Sequence, residues 1–189
     1  MAQEKKELIR KSAISIFARQ GYYNTTVQVI AEQAGVAVGT VYNYFTNKRE
    51  ILEYIFEVEA NRRLGWLKEL QTEDDSLQSK FVSFIDRHFT ELKNNPDTAA
   101  VLVQESKAPN EQSLEPVNEF TTKLPNLFAE LIETAKEKGE VRDVDSELIA
   151  TAIFEALHGI SEKVVASEEY DYEETKKEII NFYWLGLRK

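Results

Sequence analysis

Two apolar runs, each too short to stand alone, flank Gly35 between Thr25 and Lys48, in the stretch TTVQVIAEQAGVAVGTVYNYFTNK. Isolated helices shorter than about 12 residues are marginal in water, so both runs must be held by packing against other elements. Thr25-Thr26 supplies a side-chain cap for the first, and Gln28, three residues after Thr25, fits a capping box. Val27, Ile30, Ala31 and Ala34 then share one inward face. Gly35 gives the turn a residue free to take positive φ, and Val36 fills the angle between two steeply crossed helices. In the second run Val41 and Phe45 lie four apart and face the core. That leaves Val38, Gly39, Thr40, Tyr42, Asn43 and Tyr44 on or near the outer side.

The supporting element lies just upstream, where Ile9, Ala13, Ile16 and Phe17 share a face between Leu8 and Gln20 and Gly21 ends the run. Helical spacing continues along the rest of the chain, and no stretch sustains the alternation of a half-buried strand. An all-α protein is predicted. A long helix from Lys48 to about Leu70 carries Ile51, Leu52, Ile55, Phe56, Leu64 and Leu67, with Gly65 as a weak point. Another carries Leu77, Phe81, Phe84, Ile85, His88, Phe89 and Leu92 and is closed by Asn94-Asn95-Pro96. All four prolines fall between Pro96 and Pro125, which makes this stretch the least regular on sequence grounds; Pro125 either kinks a helix or opens its first turn. Asp145 caps a helix repeating Ile149, Ala152, Ile153, Ala156, Leu157, Ile160 and Val164, and a last helix from about Glu173 carries Ile179, Phe182, Tyr183 and Gly186. The small residues Ala152, Ala156, Gly159 and Gly186 let helices approach closely. They suit either an intramolecular core or a four-helix interface between two copies of the chain.

Charge first argues against a polyanionic partner, since the net charge is −10. Its distribution reverses that. Through Lys48 there are six basic residues against three acidic, a surplus of +3, so the remainder carries −13. A small DNA-contacting head on an acidic body has this asymmetry. With no cysteine, disulfides, thiolate metal sites and cysteine nucleophiles are excluded. His88 and His158 lack the tight spacing of a metal site, and with Ser83 or Ser161 they make no credible triad. No glycine-rich phosphate loop or nucleophile elbow is present. No enzyme, cofactor or metal is expected. The first residues, Met-Ala-Gln-Glu-Lys-Lys-Glu, precede no apolar signal core, and no apolar run nears the ~18 residues of a membrane span, so a cytoplasmic protein that does not enter the membrane is expected.

A glycine-hinged helix pair with these residues on its outer side fits a helix-turn-helix, whose second helix enters the major groove with its N-terminal residues against base edges. Gly39 allows close approach, Thr40 offers a short hydroxyl and methyl, Val38 makes apolar contacts, and Tyr42 and Tyr44 present hydroxyls to phosphates. Lys48, Thr26 and Gln28 sit at helix starts, where free N–H groups already favour an anion.

Residues 8–56 resemble the N-terminal domain of the TetR/AcrR family, whose signature runs from Phe-x-x-x-Gly-Tyr to Gly-Thr-x-Tyr-x-x-Phe-x-x-Lys. Phe17, Gly21, Tyr22, Thr25, Thr26, Ile30, Ala31, Ala34, Gly35, Val36, Gly39, Thr40, Tyr42, Phe45 and Lys48 stand in register with it. By that resemblance Thr26, Gln28, Ala37, Val38, Gly39, Thr40, Tyr42, Tyr44 and Lys48 occupy DNA-contacting positions. Tyr44 replaces a histidine that is frequent there, and Val29 replaces a more usual polar residue. With no arginine on the recognition helix, direct base readout is expected to be modest.

The resemblance also implies two domains: residues 1–47 as the helix-turn-helix DNA-binding domain, and 48–189 as a helical-bundle ligand-binding and dimerisation domain. The stretch from Arg87-His88-Phe89 through Ala99 to Gln104-Glu105 resembles the acyl-CoA-responsive fatty-acid regulators of the family. Arg62, Trp66, Phe84, Arg87, His88, Phe89, Gln104, Phe120, Phe154 and His158 are the candidate ligand residues. The aromatics among them would line an apolar space, and Arg62, Arg63 and Arg87 would stand at its mouth for a charged head. The implied function is a ligand-responsive repressor, binding double-stranded operator DNA as a homodimer and released by a small apolar effector such as a fatty acyl-CoA. The alternative is a DNA-bound structural or partner-responsive protein with no small-molecule ligand.

Overall fold

A computed structural model of the chain describes residues 2–105, 115–167 and 169–189, with the backbone alone for 115–121. Among the described residues there are nine helices and no strand beyond an isolated bridge between Val141 and Arg188. They are α1 (Ala2–Gln20), α2 (Val27–Gln33), α3 (Val38–Tyr42), α4 (Lys48–Thr72), α5 (Leu77–Asn94), α6 (Pro96–Glu105), α7 (Glu115–Glu137), α8 (Ser146–Ala166) and α9 (Tyr172–Leu187). They gather into two compact units, Met1–Ala60 with Asn95–Asn118, and Asn61–Asn94 with Glu119–Lys189.

In the first unit Ile9, Ala13 and Phe17 of α1, Ile30 and Ala31 of α2, Val41 of α3 and Ile51 and Ile55 of α4 form one buried cluster with Phe45. This cluster is what holds α2 and α3, which are 7 and 5 residues long and could not persist alone. Gly35 takes φ of 64°, as the turn between them requires. Val36 then closes the end of α2 by donating its N–H to the Ala31 carbonyl at 3.0 Å. Open space surrounds Gly35, so a side chain there would cost backbone strain alone.

The cap on α2 differs from expectation. Thr26 is the capping residue, its hydroxyl accepting the Val29 N–H at 3.3 Å. The position three beyond the cap is therefore Val29, and Gln28 is left exposed. Thr25 is buried instead and donates its hydroxyl to the Gly21 carbonyl at 2.8 Å.

The proline-bearing stretch also differs. It opens with the regular helix α6, because Pro96 occupies the first helical position, where its missing N–H costs nothing. Pro125 lies inside α7, and Pro109 falls outside the described residues.

The second unit is built on aromatic side chains. Phe81, Phe84 and Phe89 of α5 and Phe128 of α7 are buried, along with Ile153, Leu157 and Val164 of α8 and Ile179 and Leu187 of α9. Carboxylates close its helix starts. Glu140 accepts the Leu77 N–H of α5 at 2.7 Å, Asp145 accepts from Leu148 of α8 at 3.0 Å, and Asp171 accepts from both Glu173 and Glu174 of α9 at 2.9 Å. Each cap contributes about 1 kcal/mol.

Candidate functional site

The outer face of the helix pair is open and, apart from the exposed Glu32 of α2, uncharged. Thr26, Gln28, Ala37, Gly39 and Tyr42 are exposed, with 54% of the Tyr42 surface accessible, and Thr40 is half-buried. Val38 and Tyr44 are half-buried too, but both pack against the head core, so their bodies serve the fold while their edges reach the surface. The contact between α2 and α3 sets these residues side by side on short helices whose inner residues are locked.

Lys48 has a more specific arrangement than a solvated charge. Its Nζ donates to the carbonyls of Tyr22 at 2.5 Å and Thr25 at 2.7 Å, reaches that of Tyr23 at 3.4 Å, and lies 4.2 Å from the centre of the Tyr22 ring. The first residue of α4 thus braces the turn leading into α2. Burial lowers the ammonium's pKa, and the Glu105 carboxylate partly offsets that. Tyr23, which sequence reasoning passed over, is 74% exposed on the same turn and edge-on to Tyr22 at 5.5 Å. Its only sequence signal is the doubled tyrosine after Gly21.

In the second unit the candidate ligand residues separate into a cluster and a rim. Phe84 is the hub, with ring centroids 6.4 Å from Trp66, 6.4 Å from His88 in a stacked pair, 6.3 Å from Phe128 and 5.8 Å from Phe154. Phe89 meets His88 edge-on at 5.3 Å. His88 Nε2 lies 2.9 Å from the Ser161 hydroxyl, which itself donates to the Leu157 carbonyl at 2.6 Å. With that hydrogen committed, Nε2 must be the donor, and the imidazole is the Nε2–H tautomer. Burial, reinforced by the charges of Arg63 and His158, pulls the His88 pKa down to about 3, so the ring is neutral at physiological pH.

Arg63 is buried and its guanidinium lies 5.7 Å from the Trp66 ring centre. Arg62 and Arg87, expected at a pocket mouth, form ion pairs with Glu91 and, at 2.7 Å, with Glu69. His158 is exposed; so is Gln104, which belongs to the first unit. The side chain of Phe120 lies outside the described residues. Sequence reasoning left Ser161 out of the ligand site. Ser161 had a usable signal, since it falls four residues after Leu157 on the buried face of α8.

Residues 9–55 match the model of the bacterial regulatory proteins of the tetR family, and residues 74–162 match the tetracyclin repressor-like C-terminal domain. The chain belongs to the TetR family. It is therefore a transcriptional regulator carrying a DNA-binding helix-turn-helix, and its family is not one of enzymes. A relative similar over nearly its whole length is the fatty acid metabolism regulator protein of Bacillus subtilis (strain 168), 26% identical over 178 residues, covering 93% of this chain and 92% of that protein. Among solved structures, the fatty acid degradation regulator FadR from Bacillus halodurans superposes with a TM-score of 0.86 at 28% identity, covering 95% of this chain and 94% of the other. FadR from Bacillus subtilis in complex with stearoyl-CoA superposes with 0.85 at 26%, covering 94% and 96%. Among the described residues no helix is long and apolar enough to cross a membrane.

Proposed function

We propose that this TetR-family regulator is a homodimeric repressor that holds operator DNA through residues 1–47 and is released when a fatty acyl-CoA enters its 48–189 region. The observation that carries the reading is the pairing of an open, largely uncharged α2–α3 face with an aromatic cluster around Phe84, in a chain similar over 94% of its length to FadR in complex with stearoyl-CoA. Thr26, Gln28, Ala37, Gly39, Thr40 and Tyr42 would meet the duplex, with Val38 and Tyr44 at the edges. An acyl chain would displace aromatic contacts around Phe84, Trp66, Phe89 and Phe154, with His88 and Arg63 as the polar groups at hand.

Dimerisation is supported by an apolar surface on α8 and α9. Leu148, Phe182 and Leu185 are 65%, 74% and 60% exposed, and Ala152, Gly159 and Gly186 are exposed beside them. Tyr183 donates to the Ala152 carbonyl at 3.3 Å, which places the two helices together. A second copy applying the same surface would bury these groups in an isologous four-helix contact. Two reading heads on one duplex face must stand about 34 Å apart, so a ligand that shifts α4 by a few ångströms would cost several phosphate contacts at once.

The experiment is mass spectrometry of the purified protein for retained acyl species, followed by titration of stearoyl-CoA into a complex with a duplex selected from a random pool. Release of the duplex supports the reading. Binding of duplex that is indifferent to stearoyl-CoA and to other acyl-CoA chain lengths leaves a regulator with no such effector.

A further inference from the structure

A cavity of about 220 Å³ opens in the second unit where α4 finishes, α5 begins and the last turns of α7 pass. Its floor is apolar, made by Leu77, Leu131 and Ala135, all of them buried. Its walls are charged. Glu73, Asp75, Glu130 and Glu140 supply four carboxylates, and Lys80 and Lys138 supply two ammonium groups. None of the aromatic residues gathered on Phe84 lines it. It is smaller than the roughly 300–1,000 Å³ of sites for drug-sized molecules, so its size suits a small metabolite.

Three of the six charged groups already have a use. Glu140 accepts the Leu77 N–H that opens α5, Glu130 accepts the Gln71 amide at 2.8 Å, and Lys138 stands 3.9 Å from Asp74. The side chains of Lys80, Glu73 and Asp75 make no hydrogen bond or ion pair among the described residues. Water suffices for Glu73 and Asp75, which are exposed. It does not suffice for Lys80, of which only 7% is exposed. Helical side chains lean toward the N-terminal end of their helix, and this directs the Lys80 stem toward the 73–77 segment that borders the cavity. The start of a helix is also the end at which a cation is least favoured. A buried ammonium there is costly until an anion meets it, and the second unit offers it none.

A simple anion would satisfy Lys80 but face the surplus of carboxylates, and a simple cation would suit the carboxylates but face Lys80. A small molecule carrying both charges answers both. We propose that this cavity binds a free α-amino acid, its carboxylate on Lys80 and its ammonium N–H groups on Glu73, Asp75 and Glu130. The surplus of two negative charges on the walls orders the candidates: amino acids with a second cationic group bind ahead of neutral ones, and acidic ones bind last. The site stands apart from the Phe84 cluster and does not depend on the acyl-CoA reading.

The test is isothermal titration calorimetry of the full chain with L-lysine, L-alanine, L-glutamate, glutarate and cadaverine. L-lysine should bind, L-alanine more weakly, and L-glutamate, glutarate and cadaverine each at least about 10-fold more weakly than L-lysine. Lys80→Met keeps the length of the stem and removes the charge. It should lose at least about 10-fold in affinity for L-lysine while melting at or above the wild-type temperature, because an ammonium without a partner gives way to an apolar end. A lysine whose charge merely supported the fold would lower the melting temperature on replacement. Glu73→Gln, at an exposed position, should weaken L-lysine binding by roughly 3–10-fold with no change in melting, and it keeps the test open should Lys80→Met fold poorly. Absence of binding by every amino acid up to about 10 mM overturns the proposal. So does L-lysine affinity within twofold of wild type in both variants. Glutarate or cadaverine binding as tightly as L-lysine overturns it in favour of a plain anion or cation site.

Discussion

The two units differ in which aromatic residues predominate, tyrosines at the surface of the first and packed phenylalanines inside the second. In the first, Phe17 and Phe45 are interior, while Tyr22, Tyr23, Tyr42, Tyr44 and Tyr54 sit at or near the surface, and two of them are wrapped by lysines. In the second, phenylalanines pack on one another, with Phe84 touching Phe128, Phe154 and His88. A phenol ring offers an apolar body and a polar tip, which suits a surface that must be wet in one state and covered in another. A phenyl ring has no such tip, so a cluster of them is indifferent to charge and receptive to hydrocarbon. The same class of side chain thus marks a contact surface in one place and an interior able to admit an apolar guest in another.

That contrast can be broken by substitution, and the largest effect belongs to the interior. Phe84→Ala should lower the free energy of unfolding by about 3–5 kcal/mol in denaturant titration, against less than about 0.5 kcal/mol for Tyr42→Ala, because one removes the hub of a buried cluster and the other an exposed ring. Similar losses for the two would erase the distinction.

Lys48→Ala comes next. It strips a charged donor from the carbonyls of Tyr22 and Thr25, so a loss of about 1.5–3 kcal/mol is expected, together with weaker duplex binding. A melting temperature equal to wild type would show that the brace contributes nothing.

The second unit should also carry acid sensitivity, since His88 lies in it. His88 stays neutral when folded down to about pH 3 but takes up a proton in the unfolded chain below its ordinary 6.5. Between those values the unfolded state binds more protons, so stability falls as pH is lowered from 6.5 towards 3. The slope approaches about 1.4 kcal/mol per pH unit. His88→Phe should flatten the profile between pH 6.5 and 5, where carboxylates are still ionised. An unchanged slope would assign the effect elsewhere.

The smallest effect is Tyr42→Phe, which deletes one hydroxyl. Duplex affinity should drop by roughly 2–10-fold with stability unchanged.

How much of this was legible beforehand follows the same divide. The helix pair could be read residue by residue because its determinants are local: Gly35 for the positive φ, a threonine for the cap, Val41 and Phe45 for the inner face. Even there the capping box counts from the wrong threonine, since Thr25 and Thr26 are chemically alike and only the structure shows which hydroxyl faces the Val29 amide. The aromatic-rich helices could be recognised by spacing, but their partners could not. His88 finds Ser161, and Arg62 finds Glu91, through contacts between segments far apart in sequence. α6 was obscured by proline content, and its attachment to the head through Val101, Leu102 and Glu105 has no local signature at all.

The most direct test of the account is fluorescence anisotropy of a labelled duplex, selected from a random pool by the wild-type protein, titrated with Tyr42→Glu. An acidic side chain placed on the exposed face of α3 faces a polyanion, so binding should weaken by at least about 30-fold while the melting temperature stays at the wild-type value. Wild-type affinity in that variant would mean that another surface of the molecule holds the DNA.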